Sequence, residues 1–377
     1  MMNMQGLFAL DNKILGKGSF GVVYLGTDIS NDNHVALKKI PAEIINDQQK
    51  IESLSNEILI SSDVDNVNLV KILDITEIEN KKYIVYEFCN GGDLRRYLRF
   101  FKTFDEKMIQ YFMFNILNGL SELHNKHIIH HDLKPENVLV DLIPFEIKDK
   151  NNMEERKKFE KVVDEILQLT DKKKLQNNNS LVYGNISSSG INKEYILNTL
   201  LKSRIKVSDF GLSKFKEDNN QKNLSGSPLY MAPNLFEPNV DIKTIEDEKV
   251  DIWAIGIFAY ELFTGKRPFN SPNQSLKELI QELKKGIYVI DLREYGKISK
   301  QFLSFLNMCL QMDPNIRPNA LELSLSEFIT RDPKTFEYIN LTNLNQIKFP
   351  NPNYVNPQGQ IIMNIYDRRS INANFDY

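Results

Sequence analysis

Two short polar motifs, far apart in the chain, place the strongest constraint on how it folds. Residues 130–137 read His-His-Asp-Leu-Lys-Pro-Glu-Asn, and residues 209–211 read Asp-Phe-Gly. Asn137 and Asp209 both carry oxygen atoms of the kind that Mg²⁺ prefers, although 72 residues separate them. Only a fold that pairs the segments on either side of this gap brings the two candidate ligands together.

The first motif also carries side chains suited to group transfer onto a hydroxyl. Asp132 can orient an acceptor hydroxyl and take up its proton, and Lys134 can neutralise charge on a transferring phosphoryl group. Asp-Phe-Gly alone is a common turn sequence. Joined in this order to Asp132 and Asn137, which are five residues apart, it indicates phosphoryl-transfer chemistry.

A glycine-rich segment near the N-terminus is a second candidate phosphate site. Residues 16–23 read Gly-Lys-Gly-Ser-Phe-Gly-Val-Val, and glycines let backbone N–H groups approach a phosphate closely. A glycine-rich hairpin or a dinucleotide-binding turn has a similar composition, but the latter requires a following helix, whereas a strand is predicted here. Lys38, on the next strand, and Glu57, on a predicted helix, form a candidate ion pair for ATP phosphates. Either residue on its own is typical of a solvent-exposed surface position.

The hydrophobic pattern divides the chain into a strand-rich and a helix-rich part. Short runs rich in β-branched residues predict strands over 10–15, 22–26, 34–40, 70–78 and 83–88, with a helix over 53–62. From Leu94 onward, apolar residues recur at helical spacing. A strand-rich part followed by a helical part predicts an α+β protein with two lobes.

Two regions do not fit that plan. Residues 141–204 separate two strand-like pieces and predict a charged amphipathic helix, polar stretches at 177–180 and 187–190, and a short helix near 195–201. The apolar residues of the amphipathic helix are Phe159, Val162, Val163, Ile166 and Leu167. Residues 331–377 are rich in Asn and Pro, and they predict no particular fold.

These motifs, in this order, resemble the eukaryotic protein kinase superfamily, serine/threonine type, over residues 8–330. Later segments similar to landmarks of this family are Ala-Pro-Asn at 232–234, Asp-Ile-Trp-Ala-Ile-Gly at 251–256, and Arg317. Residues 88–94 and 226–233 are similar to the autophagy-initiating kinase group, although calcium/calmodulin-regulated kinases share parts of them.

The resemblance implies a two-lobed protein-kinase fold of the α+β class. The small β-rich N-lobe, with one regulatory helix, would span about residues 8–88, and the larger, mainly helical C-lobe about residues 89–330. The insertion 141–204 would lie within the C-lobe, and the tail 331–377 outside the domain.

The resemblance also implies an enzyme that transfers phosphate from ATP to a protein hydroxyl with the help of Mg²⁺. Asp132 and Lys134 would be catalytic together with Lys38 and Glu57, and Mg²⁺ would be bound by Asn137 and Asp209. The nucleotide-binding residues would be Gly16, Lys17, Gly18, Ser19, Phe20, Gly21, Val23, Ala36, Lys38, Glu87, Cys89, Asp93 and Leu139. Tyr86 would be a bulky gatekeeper with a small pocket behind it, and Leu212 would favour Ser over Thr as the acceptor.

One departure from the family pattern concerns regulation. His131 stands where an arginine usually holds a phosphate on the activation segment, and an unperturbed histidine is mostly neutral at pH 7. Residues 212–230 contain no threonine, and we expect Ser227 to contact Asp132 and Lys134 and not to carry a regulatory phosphate. Activity that does not depend on phosphorylation of this segment is therefore our hypothesis.

Two further departures concern packing. Asn234 replaces a glutamate that pairs with Arg317, so we expect Asn234 to accept one hydrogen bond and Glu237 to compensate for the lost charge. Ser61 replaces an apolar residue and weakens the packing of its helix. Either a partner or the insertion then holds that helix in place, or Phe210 repacks.

These departures leave a pseudokinase scaffold as the alternative function. A small-molecule kinase is disfavoured, because residues 226–233 are typical of kinases that act on proteins. An active enzyme is favoured because the residues of the chemistry are all present. They are Lys38, Glu57, Asp132, Asn137 and Asp209.

Composition restricts the partners and the location that we expect. The net charge of −3 gives no attraction to nucleic acid. Cys89 and Cys309 form no paired motif, which favours a reducing compartment over a disulfide or zinc framework. No run reaches the roughly 18 apolar residues of a membrane span, and no signal peptide is recognisable, so a cytoplasmic protein is expected, with nuclear access left open.

Two further features have a preferred and a less favoured interpretation. Four histidines lie within residues 124–131, and we expect them to pack and not to bind zinc. The insertion is more typical of a surface elaboration than of an arm that docks a regulatory protein, because loop insertions cost little stability. The tail is the other candidate docking segment.

Overall fold

The computed structural model describes residues 7–18, 21–43, 47–143, 153–171, 191–215, 226–236, 248–270, 275–343 and 358–364. The strands are β1 Phe8–Gly18, β2 Gly21–Asp28, β3 Asn33–Lys39, β4 Ile72–Ile78, β5 Lys81–Glu87, β6 Ile128–Ile129, β7 Val138–Asp141, β8 Arg204–Val207, β9 Lys214–Phe215, β10 Ile287–Asp291, β11 Lys297–Ser299, β12 Tyr338–Asn340 and β13 Gln360–Asn364. The helices are α1 Gln48–Asp63, α2 Leu94–Phe101, α3 Glu106–Asn125, α4 Met153–Leu169, α5 Lys193–Leu200, α6 Lys249–Thr264, α7 Leu276–Lys285, α8 Leu292–Tyr295, α9 Lys300–Cys309, α10 Ala320–Ser324 and α11 Glu327–Thr330.

The chain divides into two compact units, each built from two separate stretches. The first unit comprises Met1–Arg96 and Glu136–Ser213, and the second comprises Tyr97–Pro135 and Lys214–Tyr377. The first unit contains an antiparallel five-stranded sheet in the order β1-β2-β3-β5-β4. Because alternate residues of a strand face the same side, Val35 and Leu37 on β3 pack with Tyr83 and Val85 on β5 in one core cluster.

Helix α1 begins earlier than the sequence pattern predicted. Instead of starting near Ser53 it starts at Gln48, directly after Asp47. The Asp47 carboxylate accepts a hydrogen bond from the backbone N–H of Lys50 at 3.3 Å. Such a cap satisfies an N–H that the first helical turn leaves without a partner, and it accounts for the additional turn.

The strands that border the insertion pair with each other. β7 and β8 form an antiparallel ladder in which Val138 lies opposite Val207 and Asp141 lies opposite Arg204. The long separation in sequence is therefore closed by backbone hydrogen bonds, and β7 begins where β8 ends. This ladder positions the residues just before β7 and just after β8.

The insertion packs against the first unit through its amphipathic helix, α4. Val163 and Ile166 are buried, and both belong to the apolar face that the sequence predicted. Arg96 donates from Nη1 to the carbonyl oxygen of Leu167 at 2.9 Å. These contacts hold α4 in the first unit. The two predicted polar stretches lie outside the described residues.

Helix α6 forms the core of the second unit. All of its residues from Val250 to Thr264 are buried, as expected for a helix that other elements surround; α3 and α9 are among its neighbours. The helix ends at Gly265, where φ is +72° and a Cβ would lie 2.7 Å from the carbonyl oxygen of Lys102. Only glycine fits there. None of the helices in the described ranges is long and apolar enough to cross a membrane.

Part of the segment for which the sequence predicted no fold is ordered against the second unit. β12 pairs with β11, and β13 pairs with β10. Ile361 and Met363 of β13 are buried. These short strands carry too few residues for a clear alternating pattern, so neighbouring elements determine their conformation.

Glu106, at the start of α3, gives a testable pH dependence of stability. It accepts hydrogen bonds from the backbone N–H of Ser299 at 2.7 Å and from the Ser299 hydroxyl. Burial nevertheless raises the pKa of Glu106 to about 7 from its ordinary value of 4.5, and the Ser299 hydrogen bonds offset only part of the rise. Between these two values the folded state binds more protons than the unfolded state, so stability falls as pH rises through that window.

The free energy of unfolding of Glu106→Gln can be compared with that of the wild type at each pH. We expect the difference to favour the variant by about 1–3 kcal/mol more at pH 8 than at pH 5. Urea denaturation at both pH values measures this difference, and other titrating groups cancel in the comparison. Glu160→Gln, at an exposed position of α4, is the control. A Glu106→Gln effect that is the same at both pH values would contradict the prediction.

Candidate active site

The first unit contains an ion pair between Lys38 on β3 and Glu57 on α1. Lys38 Nζ lies 2.6 Å from Glu57 Oε1 and 2.8 Å from Oε2. The Tyr86 hydroxyl on β5 donates to Glu57 Oε1 as well. Burial, and then the negative charge of Glu57, raise the pKa of Tyr86, which keeps the phenol protonated as a donor. Sequence reasoning placed Tyr86 in this region but did not identify the partner of its hydroxyl.

The candidate Mg²⁺ ligands Asn137 and Asp209 lie at the same end of the β7–β8 ladder. Ser208 donates to the carbonyl oxygen of Asn137 from its backbone N–H at 2.9 Å and from its hydroxyl at 3.0 Å. Asp209 follows directly with φ at +67°. The fold thus brings together residues that are 72 positions apart in the sequence.

Asp209 has the surroundings expected of a metal ligand. Its Oδ1 atom is buried, and within the described part of the chain no donor forms a hydrogen bond with it. A buried carboxylate oxygen without a donor is costly, whereas a bound cation would satisfy it. The carboxylate of Asp209 and the amide oxygen of Asn137 are hard donors that fit Mg²⁺, which usually takes one or two carboxylates together with substrate phosphates.

Position 61 on α1 departs from the family pattern in a way that the geometry makes concrete. Ser61 is 3% exposed, and its hydroxyl has no hydrogen-bond partner among the described residues. An orphaned buried hydroxyl costs about 1–3 kcal/mol. Phe210 is also buried, in a 3₁₀ turn, Phe210–Leu212, that packs against α1.

The candidate nucleotide-binding residues lie in the first unit. Gly16 pairs with Val23 and Gly18 with Gly21 in the β1–β2 hairpin. Ala36 lies on β3 opposite Tyr86. Lys17 also lies on β1, while Ser19 and Phe20 lie outside the described residues.

The remaining members of this set lie on β5, on β7 or in the segment just after β5. Leu139 forms an isolated bridge with Asp93, and the Asp93 carboxylate accepts a hydrogen bond from the backbone N–H of Arg96 at 2.9 Å. Cys89 is buried. The Glu87 carboxylate accepts a hydrogen bond from the buried Lys206 at 2.9 Å, a contact that sequence reasoning missed because it joins residues 119 positions apart.

Asp132 and Lys134 belong to the second unit, where they form a compact polar group with Ser227. Lys134 Nζ lies 2.5 Å from Asp132 Oδ2 and 2.7 Å from Ser227 Oγ. The backbone N–H of Ser227 donates to Asp132 Oδ1 at 2.9 Å. Ser227 thus makes both of the contacts that we expected of it.

Three of the clustered histidines converge on the buried carboxylate of Asp251. The backbone N–H groups of His130 and His131 donate to it at 2.8 and 2.9 Å, and His124 Nε2 lies 3.0 Å away. Burial alone would raise the pKa of Asp251, but the hydrogen bond and charge of His124 outweigh it and hold the pKa below the usual range. Asp251 therefore fixes the backbone directly before Asp132, a role that the sequence did not reveal.

The expected hydrogen bond at Asn234 is present. Arg317 Nη2 lies 3.2 Å from Asn234 Oδ1, and both side chains are buried. The compensating contact that we predicted for Glu237 falls outside the described residues.

A family model for the protein kinase domain matches residues 10–173 and 191–329. The chain belongs to the protein kinase domain family. The predicted α+β class and kinase fold are confirmed: the N-terminal part carries a five-stranded antiparallel sheet with α1, and the C-terminal part is mainly helical.

Relatives of this kinase-domain chain are serine/threonine or calcium-dependent protein kinases. It is 30% identical to human serine/threonine-protein kinase ULK1 over 301 residues, which are 79% of this chain and 23% of that protein. It is 29% identical to calcium-dependent protein kinase 5 of Plasmodium berghei over 309 residues, 82% and 43% of the two chains. A putative serine/threonine-protein kinase of Acanthamoeba polyphaga mimivirus is 29% identical over 329 residues, 84% and 62% of the two chains. The chain spans less than two thirds of the length of these relatives.

Proposed function

We propose that this protein transfers the γ-phosphoryl group of ATP to a serine or threonine hydroxyl of a protein, with Mg²⁺ as the cofactor. The observation that carries the proposal is the buried Oδ1 atom of Asp209, which has no hydrogen-bond donor in the described structure. Asp209 directly follows Ser208, whose hydroxyl donates to the carbonyl oxygen of Asn137. Membership of the protein kinase domain family supports the same activity. Asn137 and Asp209 would hold Mg²⁺, which neutralises charge on the nucleotide phosphates when bound.

Each further polar group supports one part of this chemistry. Lys38, oriented by Glu57, would bind the ATP phosphates. Asp132 would orient the acceptor hydroxyl and accept its proton. Lys134, which contacts both Asp132 and Ser227, would neutralise charge on the transferring group.

We further propose that activity does not require phosphorylation of the activation segment. The Ser227 backbone N–H donates to Asp132, and its hydroxyl contacts Lys134. The hydroxyl therefore belongs to the site and is not presented as a phosphate acceptor. His131 is tied to Asp251 through its backbone N–H and lacks the permanent charge of arginine. We retain from the sequence the preference for Ser over Thr that Leu212 implies.

A phosphotransfer assay with purified protein, ATP and Mg²⁺ tests the proposed function. We expect wild-type protein to phosphorylate a serine-containing acceptor, with no change in rate after phosphatase treatment. Asp132→Asn is expected to lower kcat by about 10²–10⁴-fold, because general-base assistance contributes that much. The variant should still fold, since asparagine retains an oxygen for the Ser227 N–H, although Lys134 loses a carboxylate partner.

Two results would contradict the proposal. A folded wild-type protein that transfers no phosphate in the presence of Mg²⁺ would favour the pseudokinase alternative. A rate that falls after phosphatase treatment would show that a phosphate on the protein controls activity.

A further inference from the structure

Helix α1 carries Glu57, and most of its apolar residues are not fully buried. Of its apolar residues, all of which are described, only Ile60 is buried, while Leu59 is 58% exposed. One turn after Glu57, Ser61 contributes a buried hydroxyl with no partner among the described residues. Packing at this position therefore contributes little to holding the helix.

Tyr86 supplies a contact of a different kind. Its backbone is fixed inside the sheet, because β5 pairs with β3 at Ala36 and with β4 at Ile72. Its hydroxyl donates to Glu57 Oε1, the same oxygen that lies 2.6 Å from Lys38 Nζ. A hydrogen bond to a buried carboxylate is charge-assisted and is stronger than one between neutral groups.

We propose that Tyr86 is a positioning residue whose hydroxyl holds Glu57, and with it α1 and Lys38, in place of the apolar packing that is missing at Ser61. The expected effect of the Tyr86 hydroxyl on catalysis rests on the proposed function. Its expected effect on the position of α1 does not. The tyrosine links the sheet to the helix directly. Neither a partner protein nor a repacked Phe210 is then needed to hold the helix.

The proposal predicts a selective effect of Tyr86→Phe, which removes the hydroxyl and keeps the ring. Loss of a hydrogen bond to a charged group should lower kcat/KM for ATP by about 10–100-fold. The KM for the acceptor peptide should be unchanged, because Lys38 contacts the nucleotide. Amide hydrogen exchange in residues 48–63 should become faster, since α1 loses its link to the sheet.

Tyr83→Phe is the matched control. It also removes one hydroxyl from a buried tyrosine on β5, but Tyr83 packs edge-to-face against Tyr24 at a centroid distance of 6.5 Å and is not bonded to Glu57. We expect neither the kinetic parameters nor exchange in α1 to change in this variant.

An apolar residue at position 61 should make the Tyr86 hydroxyl dispensable. Adding Ser61→Leu to the Tyr86→Phe protein is expected to restore slow hydrogen exchange in α1. It should also recover at least half of the decrease in log kcat/KM that Tyr86→Phe causes. Ser61→Ala, which adds no volume, is the second variant in case leucine does not fit. It should restore part of the protection by removing the orphaned hydroxyl.

Hydrogen exchange keeps this test independent of catalysis. Equal exchange in α1 for Tyr86→Phe and Tyr83→Phe would overturn the role of the hydroxyl. If neither substitution at Ser61 slows exchange in the Tyr86→Phe protein, the hydroxyl of Tyr86 does not compensate for missing packing at Ser61. A wild-type protein without phosphotransfer would refute the proposed function, and the exchange result alone would then decide this inference.

Discussion

Asp209→Asn is expected to lower phosphotransfer by about 10³-fold or more without reducing the stability of the protein. The substitution removes the negative charge that would bind Mg²⁺ and keeps nearly the same shape. Most substitutions of a buried, charged residue abolish activity and destabilise the fold together. Here the two effects should separate.

The local geometry is the reason for this separation. Asp209 has φ at +67°, a left-handed conformation that asparagine adopts about as readily as aspartate. Its Oδ1 atom is buried without a donor in the described part of the chain, so the carboxylate carries a desolvation cost that a neutral amide avoids. The midpoint temperature of Asp209→Asn without ligand should therefore equal or exceed that of the wild type.

Ligand-induced stabilisation provides a second readout. A ligand that binds only the folded state raises the midpoint temperature, and the rise grows with the logarithm of its affinity. Mg²⁺ with ATP should therefore stabilise the wild type more than Asp209→Asn. Asp32→Asn is a suitable control, since Asp32 also has a positive φ of 58° but lies exposed in a turn. An Asp209→Asn protein that is less stable without ligand, or that keeps the full Mg²⁺-dependent shift, would contradict the assignment.

The sequence was sufficient to predict those parts of the site that depend on the order and spacing of motifs along the chain. The strands on either side of the insertion were each recognisable, and the requirement that Asn137 and Asp209 meet followed from their shared chemistry. The contacts of Ser227 with Asp132 and Lys134 were expected from the resemblance to known kinases. These features depend on side-chain type, which a sequence displays directly.

Other contacts depend on where distant elements come to lie, and the sequence did not reveal them. The bond between Tyr86 and Glu57 joins residues 29 positions apart, and whether a tyrosine hydroxyl reaches a carboxylate depends on the placement of α1 against the sheet. Asp251 was recognised only as part of a motif. Its function as the acceptor for two backbone N–H groups is invisible in sequence, because every residue except proline carries such a donor.

Arg317 illustrates the same limit. The predicted compensation by Glu237 stays a prediction, since that residue lies outside the described ranges. A buried guanidinium can also be satisfied by backbone carbonyls, which no sequence pattern marks. Arg317 donates to the carbonyl oxygens of Gln311 at 2.8 Å, Lys249 at 2.9 Å and Met312 at 3.2 Å. It also lies over the ring of Trp253, 5.2 Å from the centroid.

We therefore expect Arg317→Met to lower the free energy of unfolding by about 3–5 kcal/mol, because several buried acceptors lose their donor at once. Replacing a buried ion pair with apolar residues can be neutral when both partners are exchanged. Here most of the acceptors are backbone carbonyls that remain after the substitution, and each orphaned one costs about 1–3 kcal/mol. Arg317 is 1% exposed, so water cannot take over its role without a rearrangement.

Denaturant unfolding of two further variants separates the contribution of the carbonyls from that of Asn234. Asn234→Ala removes one acceptor and should cost about 1 kcal/mol, well below the effect at Arg317. Arg293→Met makes the same change of side chain at an exposed ion pair with Asp291, where the loss should not exceed about 1 kcal/mol. If Asn234→Ala were as destabilising as Arg317→Met, the side-chain amide and not the backbone would have taken over from the missing glutamate. If Arg317→Met cost no more than Arg293→Met, water or neighbouring side chains would satisfy the carbonyls, and the buried arginine would contribute little to the stability of this kinase domain.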